Sequence, residues 1–215
     1  MKILAMDTSG PVCGVAVSVD GALRYEALAV NKRTHSVNLL PMAEEALLRA
    51  DVPLEQLHAL AVVVGPGSFT GVRIGVSVVK GLAHGRGLPC VPVDALEALA
   101  AGVCESEAVI CPIQDARAGQ VYGAAFRPGW PPERLLPDAA LALPDYLASV
   151  LSLGERFLFV GDGVETYHEQ ITKELGKRST FAPPHQRLLR PGSVALLAEG
   201  RAAQAVDYLA LQPLY

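Results

Sequence analysis

The chain has 215 residues, 51% of them apolar and 19% charged, with a net charge of −4. That composition suits a packed globular protein with a substantial core, and the excess of acid over base argues against unaided nucleic-acid binding. No run reaches the roughly 18 apolar residues of a membrane span, and Met1-Lys2 leads straight into a strand with no signal-peptide pattern, so no membrane association is expected and cytoplasm is the expected compartment.

In chain order, Lys2–Met6 is apolar, and Cys13–Val19 alternates with the period of a strand. Asp20-Gly21 is a hairpin signal joining that run to Ala22–Val30. Ser36 is expected to cap a helix reaching about Ala50, with Pro41 tolerated in its early turns. Strand Ala61–Val64, a glycine-rich loop and a helix from Gly71 to about His84 follow. Pro89–Val93 and Asp94–Gly102 read as a further strand and helix. Strands resume at Ala108–Ile113 and Gln120–Phe126 around the polar turn Asp115–Gly119. Pro128 to Pro144 reads as a connecting excursion. Phe157–Val160 is a strand ending in Gly161-Asp162-Gly163, and helices near Val164–Leu175 and Gly192–Gln204 complete the pattern. The nearest thing to a basic cluster, Lys173 to Arg178, reads as a solvated helix end.

An opening hairpin followed by crossover units predicts an α/β protein with mixed sheets. A second half repeats the theme weakly around Asp115, which places a boundary near Gly102 and gives lobes of 1–102 and 103–215.

Gly65-Pro66-Gly67-Ser68-Phe69-Thr70-Gly71-Val72-Arg73-Ile74-Gly75 is the most specific stretch. A strand feeding a glycine loop and a helix N-terminus gathers unpaired backbone N–H groups, which attract anions. The spelling matches neither common phosphate loop. No lysine follows the second glycine of a Walker pattern, and Gly65, Gly67 and Gly71 overshoot the dinucleotide spacing. Arg73, read as a first-turn cation, opposes the helix dipole, so a ligand, a partner carboxylate or water must face it. Ser68 or Thr70 is expected to cap the helix.

Catalytic sets are not apparent. His35, His58, His84, His168 and His185 are too scattered for a helical metal pair. Cys13, Cys90, Cys104 and Cys111 contain no Cys-x-x-Cys and read as buried thiols. Ser68 does not sit in a nucleophile elbow. The helices carry another signal. Leu39, Leu40, Ala43, Ala46, Leu47 and Ala50 form an apolar face widened by Val37, Met42 and Leu48. Val72, Val76, Val79 and Ala83 form a stripe on the next helix, flanked by Gly71 and Gly75. Such faces serve either as a broad core or as a partner interface.

The stretch Gly65–Gly75 closely resembles the signature of the bacterial TsaB (YeaZ) family. Asp7-Thr8-Ser9, Arg33-Thr34-His35-Ser36 and Asp115-Ala116-Arg117-Ala118-Gly119-Gln120-Val121-Tyr122 agree in order. The resemblance implies the actin/Hsp70/sugar-kinase-like, ribonuclease-H-like fold in two lobes. It also implies a non-catalytic partner of a TsaD-type subunit that works with a TsaE-type ATPase. Together these transfer a threonylcarbamoyl group to an adenosine beside the tRNA anticodon, so tRNA is met indirectly. Carried over, Ser36–Ala50 and Gly71–His84 form the partner or homodimer face, with Ser36, Leu39, Leu40, Ala43, Leu47, Gly71, Val72, Arg73, Gly75, Val76 and Val79 in contact. In that superfamily the turn after the first strand faces nucleotide phosphates. Asp7, Thr8, Ser9, Gly65, Gly67, Ser68 and Thr70 would then be a vestigial phosphate site, or else a simple side-chain-to-backbone turn. No cofactor or metal is expected, with nucleotide binding left open. The alternative is an ATP-dependent kinase or phosphohydrolase using Asp7 and Mg²⁺, with Asp115 or Asp162 as second carboxylate. Relatives of this family often run a few residues beyond Tyr215, which leaves the tail's contribution open.

Overall fold

The computed structural model describes residues 1–31 and 35–214; Arg33 and Thr34 of the family resemblance, and Tyr215, lie outside the described residues. Two compact units are formed, one from Met1–Ala95 with Arg190–Tyr215 and one from Leu96–Leu189.

The first unit holds strands β1 (Lys2–Asp7), β2 (Cys13–Val19), β3 (Ala22–Ala29), β4 (Ala59–Gly65) and β5 (Cys90–Asp94). They lie in the order β3-β2-β1-β4-β5. The first three are antiparallel, and β4 and β5 run parallel to β1. Asp20 and Gly21 both have positive φ, 50° and 78°, which matches the right-handed twist of the flanking strands. Helices α1 (His35–Arg49) and α2 (Phe69–Arg86) cover one face. There Leu4, Met6, Val15, Val17, Leu60 and Val62 pack with Leu39, Ala43 and Ala46 of α1 and Val72, Val76 and Val79 of α2. The helix α3 (Ala95–Ala101) follows β5.

The second unit has β6 (Val109–Arg117), β7 (Gln120–Arg127), β8 (Glu133–Ala142), β9 (Phe157–Val160) and β10 (Ser179–Phe181), in the order β10-β9-β6-β7-β8. Read from the other edge, this is the arrangement of the first sheet, with β6 in the place of β1 and β9 in the place of β4. Helices α4 (Leu143–Val150) and α5 (Gly163–Leu175) pack on it through Tyr146, Leu147, Val150, Val164 and Ile171. The repeat is therefore complete in backbone order, although the sequence carries it only faintly.

The proline-rich excursion is where the sequence reading fails, because it contains β8 and the start of α4. Pro137 is admissible because β8 is an edge strand, and Pro144 because it stands in the first turn of α4, where no N–H partner is needed. Arg178 is not a merely solvated helix end either. Its guanidinium donates to the carbonyls of Leu151, Gly154 and Glu155 at 3.3, 2.7 and 3.1 Å, closing the turn after α4.

The last helix, α6 (Pro191–Glu199), returns to the first unit and packs across β1 to β5. The opposite face of that sheet is lined by Ile3, Ala5, Ala16, Ala59, Ala61 and Val63, all buried. Its small side chains admit α6 closely, and a Cβ at Gly14 would stand 2.9 Å from Pro191. Glu26 accepts from the Gly192 N–H at 2.8 Å and pairs with Arg190. The boundary near Gly102 and these units therefore differ most over 190–215, which the sequence reading gave to the second lobe.

In the β6–β7 hairpin Arg117, Ala118 and Gly119 all have positive φ, 67°, 51° and 77°. A left-handed alanine costs about 1–2 kcal/mol, whereas asparagine tolerates that region. Ala118→Asn is expected to raise the melting temperature by a few degrees, a gain that thermal unfolding followed by circular dichroism will detect.

Candidate functional site

At the end of β1, Asp7, Thr8 and Ser9 are almost wholly buried. The Asp7 Oδ1 accepts from the Ser9 backbone N–H at 2.8 Å and from the Ser9 hydroxyl at 2.7 Å. The Thr8 hydroxyl donates to the Gly71 carbonyl at 2.7 Å, and the Ser9 carbonyl accepts from the Ser68 N–H at 2.7 Å. This is the side-chain-to-backbone turn, fastened directly onto the glycine loop.

The loop's glycines follow from that fastening. A Cβ at Gly71 would overlap the Thr8 carbonyl oxygen, one at Gly67 the Ser9 carbonyl oxygen, and one at Gly75 would lie 2.6 Å from the Thr8 hydroxyl. Gly65 and Gly67 also have φ of 133° and 149°, a region closed to side chains. On the far side, a Cβ at Gly65 would overlap the Leu214 carbonyl oxygen, and the Leu214 N–H donates to the Val64 carbonyl at 2.7 Å. Backbone from β1 and from the C-terminal tail thus lies where an anion would approach. Ser68 caps α2, its hydroxyl accepting from the Gly71 N–H at 3.2 Å. Helix α2 begins at Phe69, so Arg73 sits one full turn in, and exposed Thr70 is a helical residue, not the cap.

Electrostatics single out Asp7. Burial pushes its carboxyl up from 3.8 to about 6, against the pull of the Ser9 N–H and hydroxyl and of His35. Its Oδ2 is buried without a hydrogen-bond partner. The His35 Nε2–H donates to the Gly10 carbonyl at 3.0 Å, and its Nδ1 is buried without a partner. In the second unit, Asp162 at the start of α5 is likewise pushed up to about 6, by burial first and also by the charge of Asp115. Asp115 is held by the Tyr167 hydroxyl at 3.2 Å and the Arg117 N–H at 2.8 Å. Burial lifts the thiols of Cys13 and Cys90 to about 11 and of Cys111 to about 12, the opposite of an activated nucleophile. Among the described residues no three His, Cys, Asp or Glu side chains come together as a metal site.

The helix faces divide differently from the sequence expectation. Leu39, Ala43, Gly71, Val72, Gly75, Val76 and Val79 are buried in the unit's own core, because both helices turn their apolar stripes to the sheet. They cannot touch a partner without unpacking it. Leu47 is half-buried, while Ser36, Leu40 and Arg73 are exposed. Ser36 is inside α1, which already begins at His35. The outward apolar side chains of the two helices are Val37 (59% exposed), Leu40 (41%), Leu48 (78%) and Phe69 (54%). Phe69 was overlooked in the sequence. Its spacing of four from Arg73 was the available signal, and the Arg73 guanidinium indeed lies 3.8 Å over its ring.

Two outcomes follow. Gly71→Ala is expected to cost several kcal/mol, about 3 or more, since backbone must move to admit the methyl; loss of soluble protein or a melting drop of about 10 °C checks it. Because the folded pKa of Asp7 exceeds its unfolded value, its favourable contribution is full below pH 4 and is lost as pH rises through about 6. Asp7→Asn should therefore gain stability relative to wild type between pH 4 and 7, by up to roughly 3 kcal/mol. Urea melts of both proteins across that range will show the difference.

Comparison with known proteins agrees with this geometry. The family model described as "TsaD: tRNA N6-adenosine threonylcarbamoyltransferase" matches residues 29–208. The "tRNA threonylcarbamoyladenosine biosynthesis protein TsaB" of Bacillus subtilis is 34% identical over 216 residues, covering 100% of this chain and 93% of that protein. The solved structure of YeaZ from Pseudomonas aeruginosa superposes with a TM-score of 0.83 at 27% identity, covering 100% and 99%. Component A of the (R)-2-hydroxyglutaryl-CoA dehydratase of Acidaminococcus fermentans, 11% identical with a TM-score of 0.57, covers 94% and 99% and shares the fold alone. The architecture is the actin/Hsp70/sugar-kinase-like fold. With a match of this extent running through the glycine signature, the chain belongs to the TsaB (YeaZ) family of tRNA threonylcarbamoyladenosine biosynthesis proteins.

Proposed function

We propose that this chain is the non-catalytic partner of a TsaD-type subunit in a cytoplasmic assembly that forms threonylcarbamoyladenosine in tRNA, with a TsaE-type ATPase joining through the complex. The observation that carries the reading is the exposed apolar side of α1 and α2, where Val37, Leu40, Leu48 and Phe69 stand out from helices whose inner stripes already fill the core. Large apolar side chains grouped on one helical surface mark an interaction face. The match of a TsaD family model to this chain supports a pairing of like folds. Two proteins that present the same two helices can meet through them about a pseudo-two-fold axis, and a homodimer uses the same surface. A net charge of −4 supports contact with tRNA through the other subunit.

A kinase or phosphohydrolase of this fold would use Asp7 with Mg²⁺, and the unpartnered Oδ2 of Asp7 is the feature in its favour. The packing of Ser9 and Leu214 backbone against the glycine loop weighs against it, because a phosphate needs that space.

Size-exclusion with light scattering on the chain mixed with the TsaD-type protein of the same organism is the test. A peak holding both is expected. Leu40→Glu and Leu48→Glu should abolish it while leaving the melting temperature within about 2 °C, since exposed positions tolerate charge. Val76→Glu, which buries a charge in the core, should instead unfold the chain. Independent elution of the wild-type proteins, even with TsaE and ATP added, would refute the reading, and turnover of ATP by the isolated chain that Asp7→Ala abolishes would favour the enzyme.

A further inference from the structure

Where β6 ends and α5 begins, the second unit holds two carboxyl groups for which the proposed function has no use. Gly163, the first residue of α5, stands so close to β6 that a Cβ there would lie 3.1 Å from the Ile113 carbonyl oxygen and 3.3 Å from the Asp115 nitrogen. Asp162, one residue earlier, is thereby set beside Asp115. The Asp162 Oδ1 is buried without a hydrogen-bond partner. A carboxylate oxygen in that position is costly, whereas a protonated carboxyl leaves no bare charge and supplies a donor of its own.

Asp115 leads into the β6–β7 hairpin. Its Oδ1 accepts from the Arg117 N–H at 2.8 Å and from the Tyr167 hydroxyl at 3.2 Å. That hydroxyl also lies 3.2 Å from the Gln120 carbonyl, so one side chain of α5 holds both strands at the base of the hairpin. Beyond the clasp Arg117 and Ala118 are left-handed, a conformation that persists only where the surroundings enforce it. The titratable groups set around Asp162 are Asp115 from β6 and, through Asp115, Tyr167 from α5. Glu165 lies exposed in the same first helical turn, Arg117 lies exposed at the hairpin, and β7 offers the Gln120 carbonyl.

We infer that Asp115 and Asp162 share one proton, and that this proton latches the β6–β7 hairpin onto α5. With the proton bound, the two carboxyls are joined and Tyr167 clasps the turn. With it lost, two like charges drive Asp115 toward water and loosen the left-handed residues. Burial first, and then the charge of Asp115, raise the Asp162 carboxyl to about 6. A raised folded value means that the latch is fully favoured at low pH and weakens as pH rises through about 6, by about tenfold for each unit of the shift.

Amide hydrogen exchange of the hairpin, Asp115 to Gln120, tests this in the full chain between about pH 5 and 8, corrected for intrinsic rates. Wild type is expected to lose protection about tenfold or more across that range. Asp162→Asn, whose amide donates at every pH, should stay protected throughout, and Tyr167→Phe should exchange fast throughout. Asp7→Asn, in the other unit, should keep the wild-type step. A flat wild-type profile, a step that survives in Asp162→Asn, or one that Asp7→Asn removes would overturn the latch. If Asp162→Asn does not fold, the carboxyl carbon shift of Asp162 in wild type decides. A midpoint near 6 with a parallel response at Asp115 supports the shared proton, and a midpoint of about 4, the ordinary aspartate value, overturns it.

Discussion

Backbone pressed on backbone, where the turn after β1 meets the loop after β4, is the contact from which the first unit is organised. The Thr8 hydroxyl reaches the Gly71 carbonyl, and the Ser9 carbonyl takes the Ser68 N–H, across a gap that no β-carbon could share. That closeness fixes where α2 starts and how it is rotated. It therefore fixes which of its side chains meet the sheet and which look out. Among the described residues, the Oδ2 of Asp7 and the Nδ1 of His35 are the buried side-chain atoms left without a partner around this turn. A loop that resembles a phosphate cradle in outline thus works as a joint between two strands and a helix.

From that joint the division of labour on the helices follows. Val72, Val76 and Val79 enter the core with Leu39, Ala43 and Ala46, each buried aliphatic chain contributing roughly 1.5–3 kcal/mol for the larger ones. What is left outward is Val37, Leu40, Leu48 and Phe69, together with a helix whose ionic side chains are all basic. In the partner role proposed above, rigid placement of this surface would lower the ordering cost of association. The same close packing buries Cys13, Cys90 and Cys111 and lifts their thiols, and desolvation holds the carboxyls of Asp7 and Asp162 above the usual carboxylate range.

Much of the fold was legible. An apolar run located β1, alternation located β2, Asp20-Gly21 located the β2–β3 hairpin, and the strand–loop–helix spelling located β4 and α2. What hid β8 and α4 was proline, which reads as a breaker until one knows that Pro137 is at a sheet edge and Pro144 in a first helical turn. The candidate site was legible in membership but not in meaning. Asp7, Thr8, Ser9 and the loop glycines do gather, yet only coordinates reveal that their carbonyls fill the cradle. The helix faces failed for a physical reason as well. A periodic stripe marks burial without saying whether the buried side meets a sheet of the same chain or a second protein, and here the strongest stripe residues met the sheet.

The return of α6 to the first sheet has a consequence for how the molecule is made. Its partners Ala5, Ala16, Ala59 and Ala61 emerge from the ribosome early, whereas Pro191–Glu199 emerges only after the whole of β6 to β10. The first sheet thus waits with one apolar face bare while nearly half of the chain is still being translated, the kind of surface on which nascent chains stick together. Closing it demands contacts of very long sequence separation, which slow the final step of folding. That alanine-lined face can be covered by α6 only once Pro191–Glu199 has been made.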